Sequence, residues 1–370
     1  MRNLFIAATG QNVGKTTVCL GLLAGLQKRY SSVGFIKPVG QEHLETEGLL
    51  VDKDAVLFKS CFQLADPYQE MSPVLFPQGF TRDFLDGKIS HRGLIDKIQA
   101  AYKSVSSRHP ITLVEGTGHI GVGSIVDLNN AQVAALLDCP VVLIAPGGLG
   151  SSFDSLALNR SECERHGARV CGVILNRVLP DKREMAIKYM TQALSRWDIP
   201  LLGCIPYNQL LSNPTMNDFS LLFETELLTG HAHRLRHFEQ IRLTATSAEL
   251  FRTFLSQNQL IITPASREDI ILTTLTCFWD FAIAHPGEEL QIGLILTGRE
   301  EPKASLLEQI RQANIPTIHA PVSNFNAMKM INSFTAKIRG DDKEKIHEAV
   351  KIVEESIDFE KLVNVYTQTT

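Results

Sequence analysis

The sequence predicts an α/β protein: a doubly wound parallel sheet followed by a second, smaller α/β domain. Three observations predict it. Short apolar runs alternate with longer helical stretches through most of the chain. Most of those runs are too continuously apolar for half-exposed antiparallel strands, and suit parallel strands covered on both faces. A glycine-containing turn joins the first run to the first helical stretch, the arrangement of a strand–turn–helix unit.

Taken in order, the expected strands of the first domain are Leu4–Ala8, Ser32–Lys37, Ile111–Glu115, Pro140–Ala145, Val170–Asn176 and Leu201–Pro206. Between them, Lys15–Arg29 carries Val18, Leu22, Leu23 and Leu26 on one helical face, and Phe153–His166 and Asp181–Arg196 read as further helices. The rhythm stops near Pro206. Residues 211–237, polar and mixed with three histidines, read as a connector with one short helix, closing a first domain over residues 1–210. A second alternating unit spans 238–340, with strands at Ile241–Ala245, Leu260–Thr263, Ile292–Leu296 and Pro316–Ala320 and helices from Asp269 and Pro302. Residues 341–370 form a charged helical tail, its modest apolar face made by Ala349, Ile352, Val353 and Ile357.

Composition bounds the function. Of 370 residues, 44% are hydrophobic, enough for one large core or two smaller ones. The formal net charge is −4 and there is no long basic run, so nothing argues for nucleic acid. The first residues, MRNLFIAATG, hold too few apolar residues for a signal-peptide core, and no run approaches the ~20 residues of a membrane span. A soluble, cytoplasmic protein is expected. The seven cysteines form no CxxC pair and several sit in apolar runs, as reduced core residues do.

The sharpest motif is Thr9-Gly10-Gln11-Asn12-Val13-Gly14-Lys15-Thr16-Thr17, between a strand and a helix. That is the context of a P-loop, GxxxxGK[ST], with Thr9 in place of its first glycine. Gly10 and Gly14 let backbone N–H groups turn inward around phosphate oxygens, and the helix N-terminus adds its dipole. Lys15 can reach the terminal phosphates of a nucleoside triphosphate, most simply ATP, and the Thr16 hydroxyl suits Mg²⁺. The cofactor-binding set is therefore Gly10, Gln11, Asn12, Val13, Gly14, Lys15, Thr16 and Thr17. The expected metal set is Thr16, Asp54 and Glu115. Glu115 ends an apolar strand, where ligands bind in such sheets. Asp54 lies in VDKDAVLF, where it also reads as a helix cap, and Asp52 is its rival for the metal. Lys37 closes the strand FIK before a proline–glycine turn, with its ammonium available to phosphate or to an anionic substrate. Lys15 and Lys37 are the expected catalytic residues.

The motifs ATGQNVGKTT, FIKPVG, VDKDA, LVEGTGH, PVVLIAPGGLGS, GVILNR and LLGCIP stand in one order and spacing over about the first 210 residues. In this the chain resembles dethiobiotin synthetase and its relatives, the cobyrinic acid a,c-diamide synthases and the N-terminal region of long phosphate acetyltransferases. The resemblance implies a P-loop NTPase fold. It implies that Lys15 and Thr16 hold phosphates and Mg²⁺, that Asp54 and Glu115 complete the metal site, and that Lys37 serves phosphate or substrate. It also implies that Asn176 reads the adenine. Gln11, Gly40-Gln41-Glu42 and Glu115-Gly116-Thr117-Gly118-His119 depart from the dethiobiotin synthetase pattern, so the nucleotide half is kept and the substrate half rewritten. The later stretches LIITPASRED and GLILTGR resemble the DRTGG domain, with Ser266 for its aspartate and Arg299 for its second glycine. Arg267 and Arg299 there could bind an anion or form surface salt bridges. His119 could contact phosphate or serve structure.

Two functions compete on this reading. One is a regulatory or sensor ATPase whose nucleotide sets the shape of the DRTGG-like domain, with acetyl transfer absent because the chain leaves no room for that domain. The other is an ATP-dependent ligase acting on a small carboxylate or amine substrate. A homodimer is expected. Its interface would include the apolar stretch Ile270–Ala284, unless that helix is buried in its own domain.

Overall fold

A computed structural model describes residues 2–367. They form two compact units. One is the stretch up to Asn208 together with the stretch from Ile338 onward, and the other is Gln209–Lys337.

The first unit is built on six strands: β1 (Arg2–Ala8), β2 (Gly34–Ile36), β3 (Ile111–Glu115), β4 (Val141–Pro146), β5 (Val170–Val178) and β6 (Leu201–Pro206). All pair in parallel, in the order β6-β5-β4-β1-β3-β2. The order reverses at β1, so the C-terminal ends of β1 and β3 border the crevice where ligands bind in open α/β sheets. All five residues of β3 are buried, as an inner parallel strand requires. On one face, Phe5, Ala7, Val114, Leu143 and Leu175 of the strands meet Ile98, Leu156 and Met190. Those come from helices that follow α1 (Lys15–Gln27) and α2 (Lys53–Phe62), namely α3 (His91–Arg108), α5 (Gly150–Arg165) and α6 (Arg183–Leu194), with α4 (Asn130–Leu136) between.

The second unit is a five-stranded sheet of β7 (Leu227–Thr229), β8 (Gln240–Leu243), β9 (Gln259–Pro264), β10 (Ile292–Thr297) and β11 (Thr317–Ala320), in the order β7-β11-β10-β9-β8. Four strands are parallel, and β7 runs antiparallel on β11. Part of the expected connector is thus an edge strand. Its helix α7 (Met216–Leu222) buries Met216 and Phe219 in this unit's core beside Leu260 and Ile262. The cause is apolar burial, which the polar composition of the segment masks: Met216, Phe219 and Phe223 dock it. The other helices are α8 (Ala248–Phe254), α9 (Glu268–Ala284), α10 (Ala304–Gln312) and α11 (Asn324–Ser333). Helix α9 is only partly enclosed. Ile270, Ile271, Leu275 and Phe278 are buried, while Leu272, Trp279 and Ile283 are exposed.

The charged C-terminal segment folds into α12 (Lys343–Ser356) and α13 (Phe359–Thr367) and packs on the first unit, against the helix that follows the glycine turn. Two glycines of α1 make that approach possible. A Cβ on Gly21 would lie 2.3 Å from Val353 Cβ, and one on Gly25 would lie 2.1 Å from Phe359 Cζ. Among the described residues no helix is long and apolar enough to cross a membrane, and all seven cysteines are free.

Gly21→Ala should therefore lower unfolding stability by ~1–3 kcal/mol through overpacking. Gly150→Ala, at a helix start where an added Cβ meets nothing within 4 Å, should be neutral or stabilising by up to about 1 kcal/mol. Urea denaturation of both variants checks this. Equal stability of the two would contradict the close packing of α12 on α1.

Candidate functional site

The turn between β1 and α1 is strained in the way a phosphate cradle requires. Asn12 and Gly14 both have left-handed backbones, at φ 58° and 92°. A Cβ on Gly14 would sit 2.3 Å from Asn176 Nδ2, so only glycine fits. No side chain caps α1, and its first turn carries no acidic residue. Its leading N–H groups thus meet no competing anion of the helix itself.

Five charged side chains, Lys15, Lys37, Asp52, Asp54 and Glu115, converge beside this turn. Thr16 donates its hydroxyl proton to Glu115 Oε1 at 3.0 Å. Glu115 has no exposed surface, and its Oε2 has no hydrogen-bond partner. Lys15, half-buried, donates to the carbonyl of Gly118 at 3.2 Å. Lys37, also buried, is ion-paired with Asp54 and lies 3.3 Å from Asp52 Oδ1. Asp52 is the N-cap of α2 and accepts from the backbone N–H of Asp54 at 2.9 Å.

Burial is the largest single influence on the protonation of Lys15, Glu115 and Lys37. It lowers the Lys15 ammonium, although the Glu115 charge opposes it. It pushes Glu115 up to about 7, helped by the Asp54 charge and opposed by Lys37 and Lys15. For Lys37, burial disfavours the charge, but Asp54, Glu115 and Asp52 outweigh it and hold the ammonium above its ordinary range.

The loop after β3 is fastened by Asn130, which sequence reading did not single out. Its Oδ1 accepts from Thr117 N at 2.9 Å, and its Nδ2 donates to the carbonyls of Thr117 and His119, each at 2.7 Å. Thr117 in turn donates its hydroxyl to the Val39 carbonyl, tying this loop to the one after Lys37. An Asn-Asn pair at a helix start reads only as a cap, a role that Asn129 fills.

Most of the predicted site residues meet at this edge: the turn Gly10–Thr17, Lys37, Asp54 and Glu115. Asn176 also reaches it, but from beneath. It is buried, and its Nδ2 donates to the Val13 carbonyl at 2.7 Å while its Oδ1 accepts from Arg177 N. Its side chain braces the P-loop. His119 is exposed, and its Nδ1 accepts from Gly121 N within its own turn. Of the two alternatives for Arg267, the structure has the salt bridge, to Asp269 at 2.7 Å, together with a hydrogen bond to the Thr246 carbonyl. Among the described residues, no three of His, Cys, Asp and Glu cluster as a metal cage.

Because its folded pKa of about 7 lies above the ordinary 4.5, Glu115 holds a proton in the folded protein that the unfolded chain has released. Its contribution to stability is fully present below about pH 4.5 and is lost as pH rises through about 7. The nucleotide-free wild type should therefore lose stability relative to Glu115→Gln between about pH 5 and about pH 8. Denaturation midpoints across that range check it. A difference independent of pH would contradict the buried carboxyl.

Comparison with known families agrees with this geometry. The AAA domain profile (AAA_26) matches residues 2–215 and the DRTGG domain profile residues 222–334. The phosphate acetyltransferase of Nitratidesulfovibrio vulgaris is 28% identical over 370 residues, covering 97% of this chain and 51% of its own. That of Pseudomonas putida is 26% identical over 358 residues, covering 93% and 49%. An ATP-dependent dethiobiotin synthetase of Nitrosopumilus maritimus is 26% identical over 218 residues, covering 59% of this chain and 94% of its own. The chain spans about half the length of the phosphate acetyltransferases it matches. The phosphate acetyltransferases overturn the expectation of a regulatory or sensor ATPase that lacks acetyl transfer. That expectation rests on chain length, which says nothing about the activity such a chain serves. The chain belongs to the AAA domain family (AAA_26), here a P-loop nucleotide-binding unit combined with a DRTGG domain.

Proposed function

We propose that this chain serves an enzyme of phosphate acetyl transfer, and that its P-loop unit binds ATP with Mg²⁺ in that setting. The observation that carries the nucleotide part is the Thr16–Glu115 pair, whose second carboxylate oxygen is buried without a partner directly beside the glycine turn. An orphaned, fully buried carboxylate oxygen is costly, and a hard cation satisfies it. The residues therefore fit the group. Thr16 and Glu115 would hold the cation, with Asp54 joining them, and the backbone of Gly10–Thr17 would hold the phosphates. Lys15 would exchange the Gly118 carbonyl for a phosphate oxygen. When bound, Mg²⁺ supplies positive charge that offsets the crowding of phosphate oxygens. Support for the acetyl-transfer part is that relatives aligned over nearly the whole chain carry that name. In the reaction, a phosphate oxygen bonds to the acetyl carbonyl carbon while the bond to the acetyl donor breaks.

Lys15→Ala should weaken ATP binding at least ~10-fold, the equivalent of a charge-assisted hydrogen bond. Calorimetry that returns an unchanged affinity would sink the nucleotide assignment. Acetyl phosphate should form when the protein is given phosphate and acetyl coenzyme A as the donor, and none forming at any ATP concentration would sink the acetyl-transfer assignment.

We also propose a homodimer in which the exposed Leu272, Trp279 and Ile283 of α9 meet a second copy. Light scattering at micromolar concentration should give twice the chain mass, and Trp279→Glu should halve it. A monomer mass for the wild type would contradict the dimer.

A further inference from the structure

The sequence offers Asp52 and Asp54 as rivals for one role. In the structure they have different surroundings and opposite prospects. Asp52 is 1% exposed and enclosed by backbone: a Cβ on Gly40 would lie 2.5 Å from its Oδ2. Its own N–H donates to Ser72 Oγ at 3.1 Å, and its Oδ1 both caps α2 and stands 3.3 Å from the Lys37 ammonium. Asp54 is the second residue of the helix that Asp52 caps. Its side chain is 24% exposed, and it makes the tighter contact with Lys37. One lysine thus stands between an enclosed aspartate and an accessible one.

We propose that Asp52 is the permanent counter-ion of Lys37 and a positioning residue for the nucleotide site, while Asp54 is the exchangeable counter-ion that is given up to an arriving cation. This rests on the Mg²⁺–nucleotide reading above. The physical requirement is charge balance. Stripping a buried ammonium of its only carboxylate is costly, because the remaining charge has neither water nor a partner. If Lys37 depended on Asp54 alone, transferring Asp54 to a cation would strand it. With Asp52 fixed by the helix cap at 3.3 Å, Lys37 keeps a partner throughout. Asp52 also sets the backbone of Asp54 through the 2.9 Å cap hydrogen bond, so one enclosed carboxylate places both members of the exchanging pair. Among the described residues, Asp52 makes no hydrogen bond or ion pair with the glycine turn, Thr16 or Glu115, which separates its role from that of a ligand.

Asp52→Asn tests this, because asparagine caps a helix about as well as aspartate and the change removes only the charge. With Asp52 neutral, Lys37 holds Asp54 more tightly. The Mg²⁺ concentration that half-saturates the gain in ATP affinity should rise roughly ten-fold or more, the size of a lost charge-assisted partner. ATP affinity in EDTA should stay within about two-fold of wild type, because no phosphate contact is touched. An unchanged Mg²⁺ midpoint would overturn the proposal. Equal losses with and without the cation would overturn it too, by making Asp52 a generic structural residue. A second measurement stands apart from nucleotide. In the ligand-free protein, the melting temperature of the Asp52→Asn, Asp54→Asn double variant should fall by more than the sum of the two single losses, since only the double leaves Lys37 without either paired aspartate and dependent on the more distant Glu115. Additive losses would overturn the shared counter-ion. Failure of the wild type to bind ATP would instead strike the nucleotide reading, and the melting comparison would still decide the charge sharing.

Discussion

Charges without access to water must be buried together, and at the C-terminal edge of the larger sheet that constraint sets the local structure. Glu115, Lys37 and Asp52 are all buried, and Lys15 is half-buried beside them. No one of them is tolerable alone in a low-dielectric interior. Each side chain is held from a different element: Glu115 from the end of β3, Lys37 from just past β2, Asp52 from the cap of α2, and Lys15 and Thr16 from the head of α1. Loss of any of these elements would leave the others with unbalanced charge. The loops are tied to one another accordingly, by Asn130 on one side and by the Thr117–Val39 contact on the other.

The sheet supplies the rigidity that this arrangement needs. Strand β3 lies between β1 and β2, with Ile6 opposite Glu115 and Ile36 opposite Val114, so Lys37 and Glu115 emerge at one level. Helix α1 is fixed from behind by the C-terminal helices, which close on Gly21 and Gly25. The helix whose first turn carries Lys15 and Thr16 is therefore locked along its length by residues more than three hundred positions away in sequence. Both chain connections to the DRTGG unit leave from this same body, one after β6 and one before α12.

Much of this was legible in the sequence, for physical reasons that differ by element. The buried parallel strands announce themselves because both faces are apolar, and all six expected in the first unit match to within two residues at either end. Ser32–Lys37 shortens to Gly34–Ile36, because its flanking residues turn away to present Lys37. The glycine turn is legible because positive φ and close approach leave few residue choices. Other features depend on contacts between distant segments and leave no local trace. The segment before Phe238 reads as polar, yet Met216, Phe219 and Phe223 bury it and Leu227–Thr229 joins a sheet edge. The tail reads as a modest amphipathic helix, and nothing local says that Val353 and Phe359 fit glycines of α1. At the site, types and spacing identify Lys15, Thr16, Lys37 and Glu115, but cannot divide the work between Asp52 and Asp54, which are two residues apart and differ only in enclosure. Asn176 shows the same limit: its position at a strand end suits a base reader, while its amide is engaged by the Val13 carbonyl.

A crystal structure with Mg²⁺ and a non-hydrolysable ATP analogue tests most directly whether this edge is assembled to receive a cation-bound triphosphate. The phosphates should lie against the backbone of Gly10–Thr17, the cation on the Thr16 hydroxyl and a Glu115 oxygen, and the Lys15 ammonium should have moved from the Gly118 carbonyl to phosphate. An analogue bound elsewhere, with Lys15 still on Gly118 and Thr16 still donating to Glu115, would contradict it.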